Sequence, residues 1–325
     1  MPPTDNRLCK ILMIDMEIRQ EVMDWLLDSD PAIRWQVRKD ILHEPLESYE
    51  KERAQITQAG WCARLLQLQD GDGLWNGSLY NGKWLSTTYS LYLLKILGLS
   101  PGNSQALQGC DQLLNRGLYQ QEEIRFSSKK DIVDLGVTAI VLSLCCYFGY
   151  ASEALSQIVM FLARQQCEEG NWFPNESPSV AGYTFETTLL VLEAVLQYQN
   201  RYAAEKDTFL ILVSQKGQDF LLRNNLGIVN QQLLKKNWSS FSFPPYWFYD
   251  ILTALDYFRD FRMNKDIRCR VAIDLLSRRQ TKDGKWLLGL RHSGKTYFEM
   301  EKVGCPSRWN TLRALRVLDW WNSPG

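Results

Sequence analysis

The chain has 325 residues, of which 45% are hydrophobic and 23% charged, enough apolar material for a large core. Lys+Arg and Asp+Glu each total 37, so the net charge is zero and no basic field is present to hold nucleic acid. The longest apolar run, Gly136 to Ala151, is too short to cross a bilayer and carries Thr138 and Ser143.

Residues 1–15 are expected to form a loose N-terminal segment, because Asp15 and Glu17 interrupt the short apolar stretch after Lys10 and no signal peptide can be read there. A helix follows near 18–29. Asp30 then reads as an N-cap and Pro31 as the first position of a second helix, Pro31-Ala-Ile-Arg34-Trp35-Gln-Val. Beyond it, comparatively polar amphipathic helices near 48–68, 103–117, 151–166, 206–223 and 265–280 alternate with more apolar ones. The apolar helices open near Trp84, Asp131, Tyr183, Tyr246 and Ser307, and each continues as a Leu/Ala/Val-rich stretch. Helices that are apolar on nearly every side are buried. Buried helices opening about every 50 to 60 residues, each preceded by a polar one, close without stranded apolar faces as an inner ring wrapped by an outer ring. The sequence therefore predicts an all-α chain folded as one (α/α)6 barrel over 1–325, with six inner and about six outer helices.

One phrase punctuates this pattern three times: Gln, three residues, Gly, one residue, Trp. It stands at Gln69–Gly73–Trp75, at Gln166–Gly170–Trp172 and at Gln280–Gly284–Trp286, each time at the end of an outer helix. Copies are missing after the helices near 103–117 and 206–223, so longer loops are expected over 116–130 and 224–243. The phrase has a structural reading. Gly allows a tight turn, Trp packs back on the helix, and Gln satisfies backbone groups at the helix end. Eight cysteines form no Cys-x-x-Cys pair, and Cys145-Cys146 lies in an apolar run, which suits reduced thiols and a cytoplasmic protein.

The phrase resembles the QW motif of squalene and oxidosqualene cyclases, whose toroid is shared by protein prenyltransferase β-subunits. The resemblance covers nearly the whole chain as a repeat pattern and specifies architecture more than activity. It implies a terpenoid cyclase acting by proton-initiated polyene cyclisation, on a hydrophobic isoprenoid or isoprenoid diphosphate, with no metal or other cofactor. Triterpene cyclases protonate through an Asp-x-Asp-Asp motif, and this chain has none. Prenyltransferase β-subunits bind zinc through Asp-x-Cys and a distant His. No Asp-x-Cys opens an inner helix here, and the two histidines, His43 and His292, lie far apart in sequence.

The predicted topology sends every inner N-terminus to one end of the barrel, where helix dipoles favour anions. The residues opening the inner helices should converge there. Four carboxylates are the candidate acids: Asp134 first, then Asp250, Asp131 and Glu186. Asp131 reads equally as a helix cap, whereas Asp134 is harder to explain in that way. The candidate binding residues are Arg34, Trp35, Trp84, Thr88, Tyr183, Tyr246, Tyr249, Arg308, Trp309 and Asn310. Their aromatic rings suit either a cation-stabilising cavity or core packing. Arg34 and Arg308 suit either a diphosphate clamp or pairing with Asp131 and Glu186.

Two other classes stay open. A non-catalytic toroid could bind a lipid or a protein, and Asp30–Arg38 also resembles a HEAT-type scaffold helix. A carbohydrate-active barrel would set carboxylates such as Asp134 and Asp250 across a groove. The aromatic run Phe241–Tyr249 reads either as a buried helix start or as an apolar lip for peripheral membrane contact.

Overall fold

Two sets of helices alternate along the chain in a computed structural model that describes residues 6–126, 134–172, 181–202, 207–229, 232–261 and 263–323, the side chains of 6–15, 18 and 181–183 excepted. The covering set is α1 (Asn6–Leu27), the pair α3 (Leu46–Ala54) and α4 (Gly60–Leu66), α6 (Ser104–Gly117), α8 (Ala154–Arg164), α10 (Thr208–Arg223) and α12 (Arg270–Arg278). The buried set is α2 (Pro31–Asp40), α5 (Thr87–Leu97), α7 (Leu135–Phe148), α9 (Ala181–Tyr202), α11 (Ile251–Asp260) and α13 (Arg308–Asn322). The chain is thus mostly helical, as expected, and no helix among the described residues is long and apolar enough to cross a membrane.

Contacts link the buried set in sequence: α5 packs on α7, α7 on α9, α9 on α11, α11 on α13, and α13 on α2. Between α2 and α5 the link is polar. Trp35 Nε1 donates to Leu97 O (3.0 Å) and Gln36 Nε2 to Ile96 O (3.1 Å). In α7 nearly every side chain from Val137 to Cys146 is buried, and each large aliphatic group removed from water contributes about 1.5–3 kcal/mol before entropy is counted.

The triplicated phrase is a structural device. The side-chain amide of Gln69, Gln166 or Gln280 donates to the carbonyl of its own Gly (2.9, 2.9 and 3.2 Å), closing the turn. Gln69 and Gln166 also reach the next covering helix, at Gln105 O (2.8 Å) and Val213 O (2.9 Å). The indole N–H of Trp75, Trp172 or Trp286 donates to Leu65, Leu162 or Leu276 O (2.8, 2.7 and 2.9 Å), and all three rings are fully buried. Gly73, Gly170 and Gly284 hold φ of 86°, 90° and 77°, left-handed values that exclude a side chain without strain.

Several boundaries differ from the sequence reading. The expected loose segment at 1–15 is helical from Asn6 onward, and no Pro or Gly interrupts Asn6–Leu27. The helix expected over 48–68 breaks at Gly60 (φ 78°), where the chain presses on Asp30 and Trp61 N–H donates to Asp30 Oδ2 (2.8 Å). The second and fifth buried helices start later than expected, at Thr87 and Ile251. Before the latter, Tyr246 adopts φ 51°, outside the helical region, and Asp250 supplies the cap. Where the phrase is missing, short hairpins stand instead: β1 (Leu118–Tyr119) with β2 (Glu123–Ile124), and β3 (Ile228–Val229) with β4 (Gln232–Leu233). A third hairpin, β5 (Trp286–Leu287) with β6 (Pro306–Ser307), brackets a strap over 288–305.

Candidate functional site

All six helices of the buried set line one cavity of about 350 Å³. Phe243, Pro245 and Trp309 form one end of it. Lys39 and Asp40 on α2, Lys95 on α5, Tyr147 on α7, Glu193 on α9 and Asp256, Arg259 and Asp260 on α11 come from the last turns or C-terminal halves of their helices. From α13 come Arg313 and Arg316. The cavity therefore lies toward the C-terminal ends of most of these helices, not at the N-terminal mouth that the sequence suggested.

Its chemistry is charged. Asp256, buried on α11, accepts from Arg316 Nη2 (2.6 Å) and Nε (3.0 Å) and from Arg259 Nε (3.0 Å), with Arg313 Nε at 3.5 Å. Burial alone would raise its carboxyl, but Arg316, Arg259 and Arg313 together hold it well below the usual carboxylate range. Arg316 also binds Gln36 Oε1 (3.0 Å) and Asp40 (3.4 Å), tying α13 to α2. None of these polar residues stood out in the sequence, because each looked like one more charge on an amphipathic helix. A retrospective signal exists: Asp256 stands between Leu255 and Tyr257, and Arg313 and Arg316 stand among Leu312, Ala314, Leu315 and Val317, charges set within apolar stretches.

The N-terminal end is filled. Trp84 stacks on Tyr246 (centroids 3.8 Å apart) and Phe243 on Trp309 (4.3 Å). The strap lies over them: Trp84 N–H donates to Lys295 O (3.0 Å), Trp84 Nε1 to Ser293 O (3.0 Å) and Tyr297 OH to Leu85 O (2.9 Å). His292 stacks on Phe248 (3.7 Å), and its Nε2 lies 2.9 Å from Ser242 Oγ. Burial pushes the His292 ring down to about 4, so it is neutral at physiological pH. The space left beside these rings is about 40 Å³. In the run Phe241–Tyr249, Phe241, Phe243, Tyr246 and Tyr249 are buried, and Trp247 and Phe248 are half-buried.

The predicted site residues disperse. Asp134 is the exposed N-cap of α7, accepting from Val137 N–H (3.0 Å), which corrects the reading that it is harder to explain as a cap than Asp131. Asp250 is the buried N-cap of α11, accepting from Thr253 N–H (2.6 Å) and Oγ1 (2.8 Å). Burial raises its carboxyl, opposed by Arg313 and by the bonds from Thr253 and Ser242. Glu186 is buried against Lys235 (3.5 Å), and burial raises its carboxyl too. Asp131 lies outside the described residues, as does the side chain of Tyr183 on α9.

Among the described residues neither arginine pairs with a predicted acid. Arg34 turns outward to Glu52 (2.7 Å) and Ser29 O (2.5 Å), and Arg308 donates to Trp25 O (3.1 Å) and covers the Trp25 ring. Thr88 donates to Leu79 O (2.7 Å), Tyr249 to Leu226 O (3.1 Å), and Asn310 to Phe241 O (3.0 Å) and Leu287 O (3.1 Å). These are loop anchors. Of the predicted set, Trp35 and Trp309 line the cavity.

No protein-family model and no curated protein matches this chain. Among solved structures, the crystal structure of a protein from Actinoplanes is similar over 91% of each chain, at 17% identity and a TM-score of 0.47.

Proposed function

We propose that the chain is a single (α/α)6 toroid, of the kind its QW-like phrases imply, that binds a small polar ligand on its axis. The carrying observation is the cavity of about 350 Å³ that every buried helix lines, since a ligand pocket of this size lies in the usual range of about 300–1,000 Å³. The charged groups gathered there suit a polar occupant better than an isoprenoid. Native mass spectrometry of freshly purified protein, beside a Gln197→Trp variant whose indole would fill the cavity, tests the reading. A polar molecule near one per chain in the parent and missing from the variant is expected. A ligand kept at full occupancy by the variant, or none taken up by the parent from a metabolite extract, would sink it.

A second reading keeps the proton-initiated cyclase, because the buried Asp250 has a raised carboxyl close in sequence to the Trp84–Tyr246 cluster partner Tyr246. Against it, a free space of about 40 Å³ holds little more than one water of about 30 Å³, so a polyene would require the cluster to open. Incubation with squalene or a polyprenyl diphosphate, followed by gas chromatography, decides it. A cyclic product lost in Asp250→Asn would restore this reading, and an unchanged substrate would remove it.

A further inference from the structure

We infer that the occupant of the axial cavity is a small organic cation, a primary ammonium compound, held by the Glu193 carboxylate and the Tyr92 hydroxyl. The inference rests on the cavity reading above and names its ligand class.

Most charges that line the cavity already have partners. Arg316 and Arg259 are bound to Asp256, with Asp40 and Asp260 beside them. Arg313 donates to Thr253 Oγ1 (2.9 Å) and reaches Asp256 and Ser242 O (both 3.5 Å). Lys95 donates to Ser143 Oγ (2.8 Å), and Lys39 lies 4.0 Å from Asp40 and over the Trp35 ring. Every base of the wall has a partner.

Glu193 has none. It faces the cavity from α9 with no hydrogen bond or ion pair among the described residues. Across from it on α5, Tyr92 is only 6% exposed, lines the same cavity, and its hydroxyl likewise has no hydrogen-bond partner among the described residues. Its oxygen opens on the cavity and is not sealed in the protein, so it is available to a ligand group there. Burial, and then the nearby Glu193 charge, push the Tyr92 phenol well above its ordinary value, so it stays protonated and its oxygen can accept an N–H.

The wall's fixed charge is nearly balanced, five bases against four acids with Glu193 counted, so the sign of the ligand is set by the groups left unpaired. The last turns of α2, α5 and α11 border the cavity, and helix C-termini carry negative partial charge. Trp35, Tyr147, Tyr257 and Trp309 supply apolar wall beside these acceptors, the Trp35 ring being covered by Lys39 and Arg53 and Trp309 stacked on Phe243. A carboxylate and a free phenol oxygen facing one cavity together describe a receptor for an ammonium group, whose three donors both acceptors can use.

The test is calorimetric titration with butylammonium chloride, against sodium butyrate and butanol as anionic and neutral analogues. Butylammonium is expected to bind and the analogues not. Glu193→Gln, isosteric and uncharged, should weaken butylammonium at least tenfold, Tyr92→Phe about three- to tenfold, and Gln197→Trp should abolish binding. If butyrate or butanol binds in a way that Gln197→Trp removes, or if Glu193→Gln binds butylammonium as tightly as the parent, the cation inference is wrong while the cavity reading survives. Butylammonium binding that persists in Gln197→Trp overturns both. No butylammonium binding at all overturns the inference alone, the cavity reading then being judged by the ligand found by native mass spectrometry. Should Tyr92→Phe fail to fold, Glu193→Gln carries the decision.

Discussion

The backbone N–H of Trp286 donates to Thr311 Oγ1 at 3.0 Å, so the end of a covering turn is fastened to the first turn of the buried helix that follows it. The same bond joins Trp75 to Thr87 (3.0 Å) and Trp172 to Thr188 (3.2 Å). In the hairpin unit that lacks the phrase, Ile124 N–H uses Thr138 Oγ1 (3.1 Å). Each threonine is buried, so losing the acceptor strands an N–H away from water. Thr311→Val, which keeps the shape, should therefore cost about 1–3 kcal/mol, and Thr311→Ser clearly less. Urea unfolding would show this as a lower midpoint at unchanged slope. A valine variant as stable as the parent would mean that the bond contributes nothing.

Asp256 pairs with three arginines in the wall of the cavity, and two of them, Arg313 and Arg316, are largely buried on α13. Removing its charge leaves Arg313 without a carboxylate and takes one of two from Arg316 and Arg259, so Asp256→Asn should cost about 3–5 kcal/mol. The sign of the pH dependence follows from its lowered carboxyl. The folded state holds the ionised form more tightly than the unfolded chain does, so the stabilisation is complete above the ordinary carboxylate value of about 4 and is lost as pH falls below it. Denaturant midpoints for parent and Asp256→Asn should differ most at pH 7 and converge below pH of about 4. A constant difference across that range would contradict the pairing.

His292 runs the other way from an ion-paired histidine. Its folded value of about 4 lies below the unfolded value of about 6.5, so the unfolded chain takes up the proton first. Stability should therefore fall as pH drops from about 6.5 to 4 and level off below that. With His43→Gln in place, the remaining histidine can be followed by NMR, and its ring should titrate near 4. His292→Phe retains the stack on Phe248 and should flatten that segment of the stability profile. A midpoint near 6.5 would show that the strap does not bury the ring.

Most of the helical order was legible because burial and periodicity write the same message. Leu/Val/Ala runs marked α5, α7, α9 and α13 within a few residues, and the phrase marked the turns before α5, α9 and α13. The fastening threonines were not legible: they follow their tryptophans by 12, 16 and 25 residues, an interval set by loop length and not by a helical period. The open space was not legible for a related reason. Residues that open helices suggest a common space, but Trp84 stacks on Tyr246 and Phe243 on Trp309, and Arg34 and Arg308 find partners elsewhere. The open space is bounded instead by side chains such as Glu193 and Tyr92, whose spacing is that of any helix face.

Asp134 and Asp250 looked alike in sequence and differ in what surrounds them. Asp134 is exposed and caps Val137 N–H, so Asp134→Ala should cost about 1 kcal/mol and Asp134→Ser almost nothing. Asp250 is buried, and alanine there removes a cap, orphans Thr253 N–H and deprives Arg313 of a neighbouring charge, so about 2 kcal/mol is expected. Asparagine at 250 keeps the acceptor and should be nearly neutral at pH 7, where the ionised carboxylate is held against its desolvation cost. Because burial raises the folded-state value, the folded protein takes up this proton before the unfolded chain does. The parent should then gain on Asp250→Asn as pH falls toward the unfolded carboxylate value of about 4, and level off below it. Asp256, on the same helix, requires the opposite slope against its own asparagine variant. Paired denaturation curves of the two variants from pH 7 to 3 would expose the contrast, and parallel curves would mean that burial and the arginines do not set these two carboxyls apart.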